Sequence, residues 1–373
     1  MDSATNASHK SCAVETLAHL QTVYIEDDEA AENWLHTPID DIIYKILLPA
    51  VVTFGLAGNA AFLFMVARLS RMKTPLNFFL VNLAINDIIF LISQSLFLMY
   101  VFFVTPVSYR YPFKTTGSCV IIYLIGYLSY YCSISIITLV AIERFYAICQ
   151  PLKHREMQHK RHTLKVITAA YMISAVLAVL TLMKRMKIHE CCLKWPDTER
   201  YQHIPMVFRY CGPLLGIPGI VITMEIMYSV LFFLAAIVNG YLYAKIILEL
   251  GSRTLAVNND AGNRNISVRN QVAKALVING ILFFLTQLPM RLNDINEILG
   301  ALEEPQCVSP NQRANDLLSF SVLFLFMNSS LNPYVYAFSS SNYRKGFKDA
   351  FSYTRQPYRP VSASVATMKT SRV

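Results

Sequence analysis

Asp87 makes the strongest chemical demand on its surroundings of any residue in this sequence. It lies in the stretch NLAIND, inside the otherwise apolar run Leu76–Val104. A carboxylate held among hydrocarbon groups is costly unless donors, water or a cation satisfy it. Asn59, Ser133, Asn328, Ser329 and Asn332 stand at similar mid-run positions in three other apolar runs. Ser and Asn also bridge membrane helices without further purpose, but five such positions converging on one Asp favour a hydrated cavity able to hold water or a cation. A second group, Glu143-Arg144-Phe145, closes the third run and is followed by the basic, proline-containing AICQPLKHR. A third is aromatic: Tyr123, Tyr127 and Tyr130 recur at i, i+4 and i+7 and so share one helix face. Such a stripe is often plain packing. With Gln94, Gln287, Arg291 and Asp294 able to face the same space, it also has the make-up of a binding pocket, aromatic with a few polar groups. No nucleophile–base set and no metal-ligand spacing appears, which argues against an enzyme.

Positioning these residues requires a membrane. Charged residues are 15% of the 373, against roughly a quarter in soluble domains. Seven runs approach the length of about 20 residues that a helix needs to cross a bilayer: Ile42–Ala67, Leu76–Val104, Ser118–Cys149, Thr163–Met183, a stretch ending at Leu250, Val272–Leu292 and Leu317–Phe338. An odd number puts the termini on opposite sides. Arg68, Arg71 and Lys73, then Lys153, Arg155, Lys160 and Arg161, then Arg344, Lys345 and Lys348 mark the cytoplasmic connections, whereas the N-terminal segment is acidic. The reading is therefore a plasma-membrane protein with an extracellular N-terminal segment (residues 1–41), a helical domain (42–351) and a disordered cytoplasmic tail (352–373). The net charge of +9 fits an inner face against anionic membrane lipid, and nothing suggests a nucleic-acid partner. The first forty residues lack the apolar core of a signal peptide. Asn6-Ala7-Ser8 is a glycosylation acceptor on the predicted outer side. Cys12, Cys119, Cys191, Cys192, Cys211 and Cys307 all fall on that oxidising side, where disulfides persist; spacing alone does not choose among their connectivities.

The set resembles the rhodopsin-like (class A) G-protein-coupled receptors over nearly all of Ile43–Phe351. The resemblance is carried by Gly58-Asn59, Leu83-Ala84 with Asp87, Cys119, Glu143-Arg144-Phe145, Pro289, Asn332-Pro333-Tyr334-Val335-Tyr336 and Phe347-Lys348-Asp349-Ala350-Phe351, in order and at the family's spacing. It implies an all-α membrane protein, a seven-transmembrane helix bundle with a short amphipathic helix after the seventh span. It implies that Glu143, Arg144, Phe145, Pro289, Asn332, Pro333 and Tyr336 serve activation and coupling to a heterotrimeric G protein. A sodium ion near Asp87 would favour the inactive state, and no other cofactor is implied. The resemblance pairs Cys119 with Cys191 or Cys192; the remaining member could close on Cys211, and Cys12 on Cys307. Departures are visible too. The fourth span has no Trp, Gln287 replaces an aromatic residue of the sixth, and Arg269 stands where many relatives carry an acid that pairs with the arginine at the position of Arg144.

An amine-receptor Asp would stand at Gly126 and an opsin Lys at Phe326, so both chemistries are absent. The long loop after the fourth span carries Lys184, Arg185, Lys187, Lys194, Arg200 and Arg209, a basic mouth suited to an acidic or amidated peptide. A neuropeptide receptor is the reading; a lipid or small-molecule receptor is the alternative, and a transporter or channel is disfavoured by the absence of an internal repeat. The tail adds Ser and Thr suited to phosphorylation and arrestin recruitment. It ends Ser371-Arg372-Val373, a PDZ-type ligand.

Overall fold

The computed structural model describes residues 21–108, 110–157, 160–214, 218–256, 263–302 and 312–352. Two short helices, α1 (Asp28–Glu32) and α2 (Pro38–Ile42), precede the long ones. These are α3 (Leu48–Arg68), α4 (Pro75–Val104), α5 (Thr116–Cys149), the short α6 (Pro151–Met157), α7 (Lys160–Leu182), α8 (Pro218–Ala256), α9 (Asn263–Leu302) and α10 (Gln312–Ser339), with α11 (Ser341–Phe351) last. Pro38–Arg68, Pro75–Val104, Thr116–Cys149, Arg161–Arg185, Gly219–Ser252 and Asn270–Ile295 are each long and apolar enough to cross a membrane. The polar stretch from Asn328 to Asn332 dilutes the apolarity of α10, which packs as the seventh long helix against α3, α4 and α9.

The first span begins earlier than its apolar run. Thr37 caps α2 in a capping box with Asp40, and Pro38 occupies the first turn, where its missing N–H costs nothing. The helix then passes through one wide turn at Ile43–Leu47 and continues as α3. Thr74 and Pro75 start α4 in the same way. Glycine lets α3 and α10 meet: a Cβ on Gly58 would lie 2.6 Å from the Tyr334 ring. The largest apolar cluster lies at the Arg144 end and gathers Phe62, Met65, Leu80, Ile136, Leu276, Phe283, Tyr336 and Tyr343. Outward positions such as Leu96, Met172, Ile237 and Leu248 remain exposed and apolar, as a lipid-facing surface requires.

The opposite end carries a small sheet absent from the sequence reading. β1 (Thr22–Tyr24), β2 (Lys187–Lys194) and β3 (Val207–Gly212) lie in that order, β1 parallel to β2 and β2 antiparallel to β3. The chain after β1 folds back over the hairpin: Ile25, Ala31, Trp34, Val107, Leu193, Tyr201 and Phe208 form a separate core, with Trp34 edge-on to Phe208 at 5.3 Å.

Candidate functional site

Three polar sites follow one another down the bundle. At the sheet end, the aromatic stripe of α5 meets α8 and α9. Tyr228 packs 4.5 Å from Tyr130 and 5.8 Å from Tyr127. The Arg291 guanidinium lies over the rings of Tyr228 (4.0 Å), Tyr130 (5.0 Å) and Phe232 (5.6 Å), and pairs with Asp294 at 2.7 Å, one turn on. Lys184 reaches Glu225 in a buried ion pair and faces Tyr127 and Tyr228 at 5.3 and 5.1 Å. Gln287 is buried four residues before Arg291. Tyr123 stacks beside Tyr127 at 6.2 Å and carries Arg185 over its ring. Gln94 lies at the margin, donating to the Ile122 carbonyl and touching Gly126.

Lys184, Glu225, Tyr228 and Phe232 were missed in the sequence. Glu225 carried a usable signal, since an acid within an apolar span is as demanding as Asp87. Lys184 was read as one more loop charge because Arg185 and Lys187 follow it. The basic mouth is correspondingly altered: Lys184 is paired with Glu225, Arg209 with Glu190 and Arg200 with Glu32, and Arg185 donates to the Cys211 carbonyl. Arg110 donates to the Val207 carbonyl; burial and then the nearby Arg209 push its pKa below the ordinary guanidinium value, with Glu190 opposing.

The disulfide expectation is corrected. Cys119 is bonded to Cys211, not to Cys191 or Cys192, with Cα atoms 5.9 Å apart. The reason is register. Cys211 pairs with Ile188 near the end of the hairpin and packs with Cys119 and Tyr111, whereas Cys191 and Cys192 stand three and four residues further along β2. Both of these are disulfide-bonded as well. Cys12 and Cys307, like Asn6 and Val373, lie outside the described residues.

Midway down, Asn332 donates to Asp87 at 2.7 Å. Asn59 donates to the Gly55 carbonyl and, across the bundle, to the Ser329 carbonyl at 2.9 Å. That second bond answers a local defect. Pro333 has no N–H to offer the carbonyl four residues before it, which is that of Ser329. Ser133 joins through Asn86, which donates to its hydroxyl at 2.8 Å, and Asn328 is buried on the same turn of α10 as Ser329. Asn59 Oδ1 is buried without a hydrogen-bond partner among the described residues.

At the far end, Arg144 bonds Glu143 through two nitrogens, and Glu143 also contacts His154 at 3.0 Å. Glu143 and Arg144 line a cleft of about 250 Å³ with Arg71, Asn77, Val272 and Tyr343. The Tyr343 hydroxyl donates to Asn77 at 2.7 Å, fastening α11 to α4, and Arg71 pairs with Asp349. Phe145 packs toward α8 beside Tyr243 and Ile246. Tyr336 is 2% exposed, held between the rings of Phe62 and Tyr343, with its hydroxyl accepting from Asn279 at 3.4 Å.

Residues 58–336 match the model of the 7 transmembrane receptor (rhodopsin family), which takes in most of this arrangement. The chain belongs to the rhodopsin family of seven-transmembrane receptors. It is 24% identical to the somatostatin receptor type 2 of Mus musculus, over 82% of this chain and 78% of that one. To the type-1 angiotensin II receptor B of Xenopus laevis it is 24% identical, over 87% and 83%. To the neuromedin U receptor homolog nmur-2 of Caenorhabditis elegans it is 28% identical, over 81% and 79%. The protein is thus a multi-pass G-protein-coupled receptor and not an enzyme.

Proposed function

We propose that this receptor binds an extracellular peptide at the sheet end and transmits the event to a heterotrimeric G protein at the Arg144 end. The observation that carries the peptide reading is the cluster of Tyr127, Tyr130, Tyr228, Arg291 and Asp294 at the end of the bundle that bears the sheet, aromatic with a few polar groups. The relatives named for somatostatin, angiotensin II and neuromedin U agree with it. The N-terminus is then extracellular and the tail cytoplasmic, as the Lys and Arg of the short connections favour.

Agonist binding shifts an existing equilibrium toward a state in which Arg144 leaves Glu143 and meets the G-protein α subunit. The hinge at Pro333 gives Tyr336 room to change partners, because the ladder there already lacks one bond. Asp87, with oxygens from Ser329, Ser133 and Asn59, would hold a sodium ion; Asn59 Oδ1, buried without a hydrogen-bond partner among the described residues, supports that reading. The tail would recruit arrestin once phosphorylated, and Val373 would dock a PDZ protein.

A peptide-library screen in cells, reading calcium and cyclic AMP together, tests the ligand class. Arg144→Ala tests the coupling: the variant is expected at the cell surface, binding the identified peptide but catalysing no nucleotide exchange. Normal exchange by that variant would remove Arg144 from the mechanism.

A further inference from the structure

The floor at the sheet end is balanced in charge but not in hydrogen bonds. Lys184 and Arg291 both lie over the Tyr228 ring, and each has its own carboxylate, Glu225 and Asp294. Two cations against two carboxylates leave no net charge. Yet Arg291 Nε, the Tyr130 hydroxyl and Gln287 Oε1 are buried without a hydrogen-bond partner among the described residues. Arg291, Gln287 and Tyr130 are 1%, 2% and 6% exposed. Gln287 and Arg291 share one face of α9, and the Arg291 guanidinium is 5.0 Å from the Tyr130 ring. One donor, one acceptor and one hydroxyl able to act as either are therefore gathered in a dry place, where unmade hydrogen bonds are costly.

Few groups answer that pattern. A carboxylate only accepts: it would set oxygen against Gln287 Oε1 and add a third negative charge beside Asp294. An ammonium only donates and would face Arg291. A primary carboxamide carries a C=O for Arg291 and Tyr130, an NH2 for Gln287 Oε1, and no charge. Gln94, Tyr123 and Tyr127 are partly exposed, and Tyr127 packs against Tyr228 of the floor. We propose that this floor takes the carboxamide of a C-terminally amidated peptide, and discriminates against the same peptide with a free carboxylate. The idea rests on the peptide-receptor reading and narrows it to one chemical terminus.

The test uses the full-length receptor in lipid nanodiscs and two small probes, N-acetylphenylalaninamide and N-acetylphenylalanine, followed by saturation-transfer NMR at millimolar concentration. The amide is expected to receive saturation and the acid little. Gln287→Leu should weaken the amide about threefold to tenfold, the loss of one neutral hydrogen bond. Tyr130→Phe, which removes a single oxygen and keeps the ring, should weaken it less. Asp294→Asn should move the preference toward the acid, because Arg291 then lacks its counter-charge. Equal or stronger transfer to the acid in the wild-type receptor would overturn the proposal. So would the absence of any signal from the amide, as expected if water alone fills the floor, or indifference to both Gln287→Leu and Tyr130→Phe. None of these outcomes touches the receptor reading, which stands or falls on exchange through Arg144.

Discussion

The two ends of the bundle are held together by different forces. At the sheet end the fastenings are directional. They are the Lys184–Glu225 and Arg291–Asp294 pairs, the Cys119–Cys211 disulfide, the Asn293–Ser321 bond between α9 and α10, and the strand ladder. At the Arg144 end the largest cluster is apolar, the Arg144–Glu143 pair joins neighbours on α5 and fastens no second long helix, and the Arg71–Asp349 pair is 41% and 30% exposed on its two side chains. Apolar contact is non-directional and survives sliding, whereas a buried ion pair does not. The contrast teaches where this receptor can move. A helix can shift at the Arg144 end, where the G protein is proposed to enter, while the sheet end, proposed to bind the ligand, keeps its shape.

The largest effect that would break this contrast is expected at Lys184. Lys184→Met removes the cation that Glu225, 0% exposed, pairs with, at a cost of about 3–5 kcal/mol. Thermal unfolding of the purified receptor should show it, and Lys184→Met with Glu225→Leu should recover most of the loss. An unchanged midpoint in the single variant would mean that the pair holds nothing. Cys119→Ala comes next, at about 2–4 kcal/mol. Non-reducing peptide mapping of the wild-type chain should recover the Cys119 and Cys211 peptides joined, and a Cys119–Cys191 or Cys119–Cys192 peptide would refute the register given above. Asn59→Leu removes the donor to the Ser329 carbonyl, for about 1–3 kcal/mol. Because that bond also steadies the Pro333 hinge, basal nucleotide exchange should change in the same variant. A loss of stability with unaltered exchange would separate the hinge from signalling. The smallest effect belongs to Arg71→Ala, at about 0–1 kcal/mol, as solvent screens an exposed pair. A larger loss would show that the Arg144 end is also ionically locked.

Much of this was legible in residues read singly or along one helix. The spans followed from apolar runs, the starts of α2 and α4 from Thr-Pro pairs, and the Asp87–Asn332 contact from two polar residues that hydrocarbon cannot satisfy. What escaped depended on pairing across long sequence distances. KIHECCLK shows no clean alternation, and its strand character is completed by β3 and by a three-residue β1 whose partner lies far along the chain. The cysteine pairing needed the hairpin register, which no spacing rule supplies. The loop cations looked available because their acids, Glu32, Glu190 and Glu225, sit on other elements.

The parallel pairing of β1 with β2 has a consequence for how the chain is made. Thr22 finds its strand partner at Cys192, 170 residues later. At about 5–20 residues per second of synthesis, the first strand waits on the order of ten seconds or more, while four spans enter the membrane, before it can be completed. Until then Val23, Ile25 and Trp34 lack the Leu193, Tyr201 and Phe208 side chains that complete their core. A ribosome that stalls before the hairpin leaves that core half-built, so the exposure of Trp34 reports whether the sheet end of the receptor was finished.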